Sequence, residues 1–280
     1  MDYWVRETTN TTVRILILVL LFSFVAAAHG SSDFKLLFIG SGDINSFIYS
    51  KQNDKFFIDT DVNVSVDAFR YGNVYFNIHL LKETSMGRKY DSDMIFDPNR
   101  ADYSFGLAGR LELERYFFEL FFHHDSFHDI DRWQDSSIYW NSPRLGFGAK
   151  NYLPKYRYHH PSAEGAPLRW EGKLDYYALA SFFAPRGYVW QKNHDYDLTL
   201  QTNFRYRLAR YRCVGTDIES NTLWVVNHRG QLQSLHNLIF NVTLYGDHGA
   251  MMFYMGWWPH DNQSIRNRDG RTAFGVHLGF

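Results

Sequence analysis

The chain has 280 residues, and its 29 Lys and Arg against 30 Asp and Glu give a net charge of −1, which offers no basis for electrostatic capture of nucleic acid. The mean hydropathy of −0.38 is too polar for a bundle of membrane-spanning helices. A single cysteine excludes an intrachain disulfide and a multi-cysteine metal site.

The first element along the chain is an N-terminal apolar run over residues 15–28, with Arg14 before it and Gly30 shortly after it. Its 14 residues are few for a bilayer-spanning helix, which needs roughly 20. A basic flank, a short apolar core and a small-residue exit are typical of a secretory signal peptide. We therefore expect residues 1–30 to be a signal peptide and residues 31–280 to form the mature domain. The alternative is an uncleaved N-terminal anchor.

Side chains in the mature chain alternate with a period of two, which places successive residues on opposite faces of a strand. The clearest segment is 57–68, where Ile58 and Val62 fall on one parity and Asp59 and Asp61 on the other. Turn or loop residues separate the alternating segments, and we find no amphipathic helix. The pattern predicts an all-β fold. The other alternating segments are 74–80, 104–113, 196–207, 237–244 and 273–280.

Two all-β architectures fit this alternation. A soluble sandwich buries the apolar parity in a dry core, whereas a transmembrane barrel turns it toward lipid. Segments of about ten residues suit a tilted membrane crossing, while globular strands usually have about 5–6. Aromatic residues, 18 % of the chain, cluster near strand ends where an interfacial girdle would lie. These features favour a transmembrane antiparallel up-and-down β-barrel. The clustered rings are Tyr116, Tyr206, Tyr211, Trp224, Trp257 and Trp258.

The last ten residues, RTAFGVHLGF, alternate in polarity and end in Phe280. This ending resembles the assembly signal of bacterial outer-membrane barrels. The resemblance implies an outer-membrane location, outer-membrane lipids as partners and recognition of Phe280 by the barrel assembly machinery. At about 20 to 25 residues per strand and connection, we predict about 12 strands, counting a first strand between residues 34 and 49. The long segments 85–101 and 152–168 are expected outside, away from the short turns.

Reactive side chains are concentrated directly after the predicted strand 116–122. The apolar face of this strand carries Phe118 and Phe122, and steps of two residues continue it to His124 and Ser126. A His and a Ser two residues apart on one strand face are close enough for the imidazole to activate the hydroxyl. The alternative is a solvated loop, in which His, Asp and Ser are ordinary residues.

The His124-x-Ser126 sequence resembles the outer-membrane acyl hydrolases, the phospholipase A and lipid A deacylase barrels. The resemblance implies that His124 is the general base and that Ser126 is the nucleophile that attacks an acyl carbonyl. In those families Asn commonly follows the Ser, whereas Phe127 stands here and Asp125 has the opposite parity. The group that orients the base is therefore unassigned. Residues 102–131 also resemble a His-x-Ser-Ser-His stretch of uncharacterised outer-membrane barrels, which implies no activity.

The same segment offers a second kind of site. Asp125, Asp129 and Asp131, with His128, are oxygen and nitrogen ligands that could hold a divalent cation such as calcium. Their spacing lacks the glycine of a defined calcium loop.

Charged side chains on the polar parity form a third candidate. Asp59, Asp61 and Asp67 on one predicted strand and Arg205 and Arg207 on another are expected to face the barrel interior. Paired charges would brace a closed barrel, whereas a water-filled lumen would use them to set ion preference.

Three functional hypotheses follow. The leading one is an integral outer-membrane β-barrel with a structural, binding or surface role. The alternative is an outer-membrane lipid acyl hydrolase that uses His124 and Ser126. The third is a narrow pore.

Overall fold

The computed structural model describes residues 34–53, 55–87, 97–129, 138–158, 167–183, 196–263 and 267–280. Within these ranges twelve antiparallel strands form one closed barrel, in which each strand pairs with its chain neighbours and β1 pairs with β12. The result confirms the predicted fold class, the strand number and the first strand. The predicted signal peptide, residues 1–30, lies outside the described residues. The strands are β1 Phe34–Tyr49, β2 Ile58–Tyr71, β3 Val74–Gly87, β4 Asp97–Glu112, β5 Tyr116–Asp129, β6 Ile138–Ala149, β7 Arg169–Phe182, β8 Tyr196–Tyr211, β9 Val214–Asn227, β10 Leu232–Tyr245, β11 Ala250–Asp261 and β12 Thr272–Gly279.

The outer wall of the barrel is apolar and its interior is polar. On β8, Phe204 and Tyr206 are exposed on the outer wall, whereas Arg205 and Arg207 between them are buried. On β2, Asp59 is fully buried inside. A single sheet that closes on itself has no second sheet to cover its apolar face, so the sandwich alternative is wrong. No helix in the described ranges has the length and hydropathy of a membrane-spanning helix.

Phe280 extends the pairing of β1 and β12 that closes the barrel. Beyond the end of β12, Phe280 exchanges two backbone hydrogen bonds with Gly42 of β1, of 2.8 and 2.9 Å. Its side chain is exposed on the outside of the molecule. Phe280 therefore adds to the contact between the first and last strands.

The two ends of the barrel differ in the length of their connections. One end has short turns, such as the one between β2 and β3, where Gly72 has a φ of 57° that favours glycine. Apart from the connection from β6 to β7, the longer connections are at the other end, including the one from β3 to β4 within the predicted long segment 85–101.

The connection from β6 to β7 leaves the barrel at the short-turn end and folds back into the lumen. It contains a 3-10 turn, Lys150–Tyr152, and a short helix α1, Pro154–Arg157. Leu153 and Tyr158 are buried, and we call residues 150–158 the plug. We expected 152–168 to lie away from the short turns, and for its described part this is wrong. The charged side chains of the plug bind charged side chains of the polar interior, and these contacts replace the contacts with water that they would have outside the barrel.

Ion pairs and hydrogen bonds fasten the plug to strands on several sides of the barrel. Arg157 of the plug pairs with Glu219 of β9. Burial by itself would lower the pKa of the Arg157 guanidinium, but the Glu219 carboxylate outweighs this effect and the pKa is raised. The Tyr158 hydroxyl lies 2.9 Å from Nε2 of His277 on β12, and the Lys155 ammonium lies 3.0 Å from Oδ2 of Asp67 on β2. The plug therefore crosses the lumen at the short-turn end.

Candidate functional site

The candidate site lies on the outer wall, near the end of the barrel with the long connections. On β5, Phe118 and Phe122 face outward, and His124, Ser126 and His128 continue this face toward the long connections. The alternation that the sequence predicts for His124 and Ser126 therefore places both on the outer wall.

Asp125 points the other way, into the barrel. Its carboxylate pairs with Arg144 of β6, and its Oδ1 lies 3.1 Å from Nδ1 of His123. Asp125 therefore belongs to the interior charge network and cannot orient an imidazole on the outer wall.

Ser126 and His124 each have a hydrogen-bond partner on the outer wall, but among the described contacts they are not bonded to each other. The Ser126 Oγ lies 2.6 Å from Nε2 of His128, and the His124 Nδ1 lies 3.0 Å from Oδ1 of Asn141. The site thus contains one hydroxyl with an imidazole on either side of it along β5, and a carboxamide that orients one of these rings. An amide oxygen at Nδ1 favours the tautomer with its proton on Nδ1, which leaves Nε2 free to accept a proton.

Sequence reasoning did not assign Asn141 to this site. Asn141 reaches it because β5 and β6 pair in a register that sets His124 opposite Asn141. The sequence between the two residues includes the connection from β5 to β6, whose length does not fix this register. His128, which the sequence assigns only to a candidate cation site, shares the parity of Ser126, and this parity is the signal that indicates its place beside the serine.

Ser126 lies in a row of outward-facing aromatic residues. The strand register aligns it with Tyr103 of β4 on one side and with Tyr139 of β6 on the other. Tyrosines on the outer wall of a barrel mark the level where hydrocarbon meets lipid headgroups. The ester bonds of membrane lipids lie near this level.

A groove of about 640 Å³ runs from the site across β4 and β3 to β2. Leu80, Val64 and Phe105 supply apolar walls, and His124 and Ser126 lie at one side. Apolar walls beside a few polar groups suit an acyl chain joined to an ester.

The two predicted cation ligands whose side chains are described lie on opposite faces of β5. Asp125 is inside the barrel, while His128 lies on the outer wall. Asp129 ends β5, but its side chain is outside the described part, as is all of Asp131. No group of three or more His, Cys, Asp or Glu side chains in the described ranges is placed to hold a metal ion. The divalent cation stays a prediction.

The predicted interior charges are paired, but with partners that the sequence did not indicate. Asp67 binds Arg110 of β4 at 2.7 Å. Arg205 and Arg207 both bind Asp175 of β7, at 2.8 and 3.0 Å. The charges therefore form bridges between nearby strands instead of the direct contacts between β2 and β8 that the sequence offered.

The remaining two aspartates of this set accept hydrogen bonds. The Tyr49 hydroxyl donates to Asp59 at 2.7 Å, and the Asn45 amide donates to Asp61 at 2.9 Å.

No protein-family model and no curated protein matches this sequence. Among solved structures, the transport unit of the autotransporter AIDA-I from Escherichia coli is similar at 12 % identity and a TM-score of 0.44, over 89 % of this chain and 90 % of that one. The beta domain of the Bordetella autotransporter BrkA is similar at 10 % identity and a TM-score of 0.41, over 86 % of this chain and 98 % of that one. The translocator domain of the autotransporter NalP from Neisseria meningitidis is similar at 11 % identity and a TM-score of 0.38, over 96 % of each chain. The chain forms a closed barrel with an apolar outer wall and a polar interior. This is the fold of bacterial outer-membrane β-barrels.

Proposed function

We propose that this protein is an outer-membrane lipid acyl hydrolase with Ser126 as its nucleophile. The observation that carries the proposal is a serine between two imidazoles on the outer wall, one of them held by the Asn141 carboxamide at 3.0 Å, beside an apolar groove. The Ser, the two His and the Asn stand together at the level of the lipid headgroups, where the ester bonds of membrane lipids lie.

The proposed reaction is an acyl transfer to serine followed by hydrolysis. Ser126 Oγ attacks the carbonyl carbon of a lipid ester while His124 accepts the hydroxyl proton and then gives it to the departing alcohol. Water, deprotonated by the same imidazole, releases the acyl group as a fatty acid and restores the serine.

We assign the base to His124 because Asn141 orients its ring, as a triad requires. His128 holds the Ser126 hydroxyl in the resting state, and this hydrogen bond would be exchanged when substrate enters.

The proposal places the protein in the outer membrane after export by the segment 1–30. The apolar outer wall supports a lipid setting, and the exposed Phe280 at the barrel closure supports the predicted recognition by the assembly machinery. Outer-membrane lipids are then both the surrounding solvent and the source of substrate.

The test is release of fatty acid by the purified barrel in mixed micelles of detergent and bacterial lipid, followed by mass spectrometry. Ser126→Ala should lower the rate by about 10³-fold or more, since removal of a triad nucleophile leaves only residual catalysis. Ser46→Ala is the matched control, because Ser46 is another serine on the outward parity of its strand, and its hydroxyl contacts only that of Thr60 among the described side chains. A parent protein that releases no fatty acid, or a Ser126→Ala variant as active as the parent, would refute the hydrolase and return the barrel to a structural role.

A further inference from the structure

Lys82 places a positive charge on the outer wall in the same row as Ser126. The register aligns Lys82 of β3 with Tyr103 of β4, and Tyr103 with Ser126 of β5. The Lys82 ammonium lies 5.7 Å from the centroid of the Tyr103 ring, so the side chain leans across β4 in the direction of the serine. Lys82 also lines the groove that contains Ser126.

The charge of Lys82 needs an anionic partner that the described part of the chain does not supply. Within the described ranges no carboxylate forms an ion pair with it, and its neighbours on the outward face of β3 are Leu80 and Thr84. A lysine on a lipid-facing wall is costly in hydrocarbon, but it is stabilised where its flexible stem can bring the ammonium to lipid phosphates. The ring of Tyr103 adds a weak cation–π contact and fixes the direction of the stem.

The distance between Lys82 and Ser126 suits a lipid held by its two ends. Two strand-to-strand steps separate their backbones by roughly 10 Å, and the lean of the lysine over Tyr103 shortens the gap between their functional groups. In a glycerophospholipid, only the glycerol unit separates the phosphate from the nearest carboxyl ester. We infer that Lys82 binds the phosphate of the lipid whose ester Ser126 attacks, and that it selects phosphate-bearing lipids over neutral ones. The inference rests on the proposed function and deepens it.

The test compares phosphatidylglycerol with diacylglycerol of the same acyl chains in identical micelles. Lys82→Met should lower kcat/KM for phosphatidylglycerol about tenfold or more through a raised KM, because a charge-assisted contact to the phosphate is lost. Hydrolysis of diacylglycerol should be unchanged, and Lys82→Arg should restore most of the preference. Lys51→Met is the control, since Lys51 is an exposed lysine in the connection from β1 to β2.

Equal losses on both lipids, or no loss on either, would overturn the role of Lys82 while leaving the hydrolase intact. If the parent hydrolyses neither lipid, the proposed function fails instead. Lipid binding can then still be measured to test the role of Lys82. In the Ser126→Ala background, native mass spectrometry should detect less retained phosphatidylglycerol after Lys82→Met, and unchanged retention would refute the phosphate site. A lipid A arm identifies the source of the phosphate, because the lipid whose hydrolysis responds to Lys82→Met is the one that the lysine binds.

Discussion

His124 on β5 and Asn141 on β6 are cross-strand partners whose side chains meet on the outer wall, with Nδ1 of the imidazole 3.0 Å from Oδ1 of the carboxamide. The partnership crosses two strands, so it is fixed by sheet register and not by local sequence. In the proposed mechanism Asn141 takes the place of the third member that the His-x-Ser sequence lacks, because Asp125 pairs with Arg144 inside the barrel.

Replacement of Asn141 tests this partnership. Asn141→Ala should lower the rate of fatty acid release about tenfold, since the loss of one orienting hydrogen bond raises the barrier by about 1.4 kcal/mol. Asn141→Gln keeps the amide but moves its oxygen, and it should recover little of the rate. Kinetic analysis should place the loss in kcat. An Asn141→Ala variant with parental kcat would remove Asn141 from the mechanism.

The two imidazoles beside Ser126 should differ in importance. His124→Ala should reduce fatty acid release nearly as far as Ser126→Ala does, because members of a catalytic unit are not additive. His128→Ala should keep the rate within about tenfold of the parent, since it removes only the resting-state hydrogen bond at 2.6 Å. Parallel labelling of the serine with a fluorophosphonate checks both variants. The reverse order of activities would contradict the assignment of His124 as base.

The plug should keep the barrel closed to ions. In planar bilayers we expect the parent to show a closed baseline, and a variant with both Lys155→Ala and Arg157→Ala to show openings. The double change removes the ion pairs to Asp67 and Glu219 that hold the plug in the lumen. Arg229→Ala, an exposed position between β9 and β10, is the matched control. A folded double variant with a closed baseline would show that the plug is not what blocks conduction.

Asp175 should be important for stability. Asp175→Asn leaves Arg205 and Arg207 buried with a reduced counter-charge, and breaking such a buried pair costs about 3–5 kcal/mol. The lower part of that range is expected, because Arg207 keeps a contact to Glu171 at 3.5 Å. The midpoint of urea unfolding in detergent measures the effect. Asp247→Asn, at an exposed turn, should leave the midpoint unchanged, and an equal midpoint for Asp175→Asn would contradict the bracing role.

Phe280 should matter for assembly more than for the stability of the finished barrel. Phe280→Ser should lower the amount of folded barrel in the outer membrane, since the predicted assembly signal ends at this side chain. The backbone bonds to Gly42 do not involve the ring, so barrel that does assemble should keep its unfolding midpoint. Phe274→Ser is the control on the same outer face of β12. Equal losses of folded barrel in both variants would contradict a specific role of Phe280 in assembly.

The sequence by itself indicated the all-β fold and the face on which the side chains of its alternating segments lie. These properties depend on a period of two, so Ile58, Asp59 and their successors carry the information locally. The barrel and its strand number were predicted from segment length, aromatic positions, the C-terminal pattern and chain length. The same parity predicts His124 and Ser126 on the outer wall and Asp125 inside.

Only the tertiary structure decided which residues meet. Asn141 reaches His124, Lys82 aligns with Ser126 through Tyr103, and Asp175 takes both Arg205 and Arg207, because of registers between strands whose connections differ in length. The position of the plug was equally hidden, since a segment such as 150–158 has no periodicity and is fixed by partners on β2, β9 and β12. Parity is a property of one strand, whereas register and lumenal packing are properties of the closed sheet.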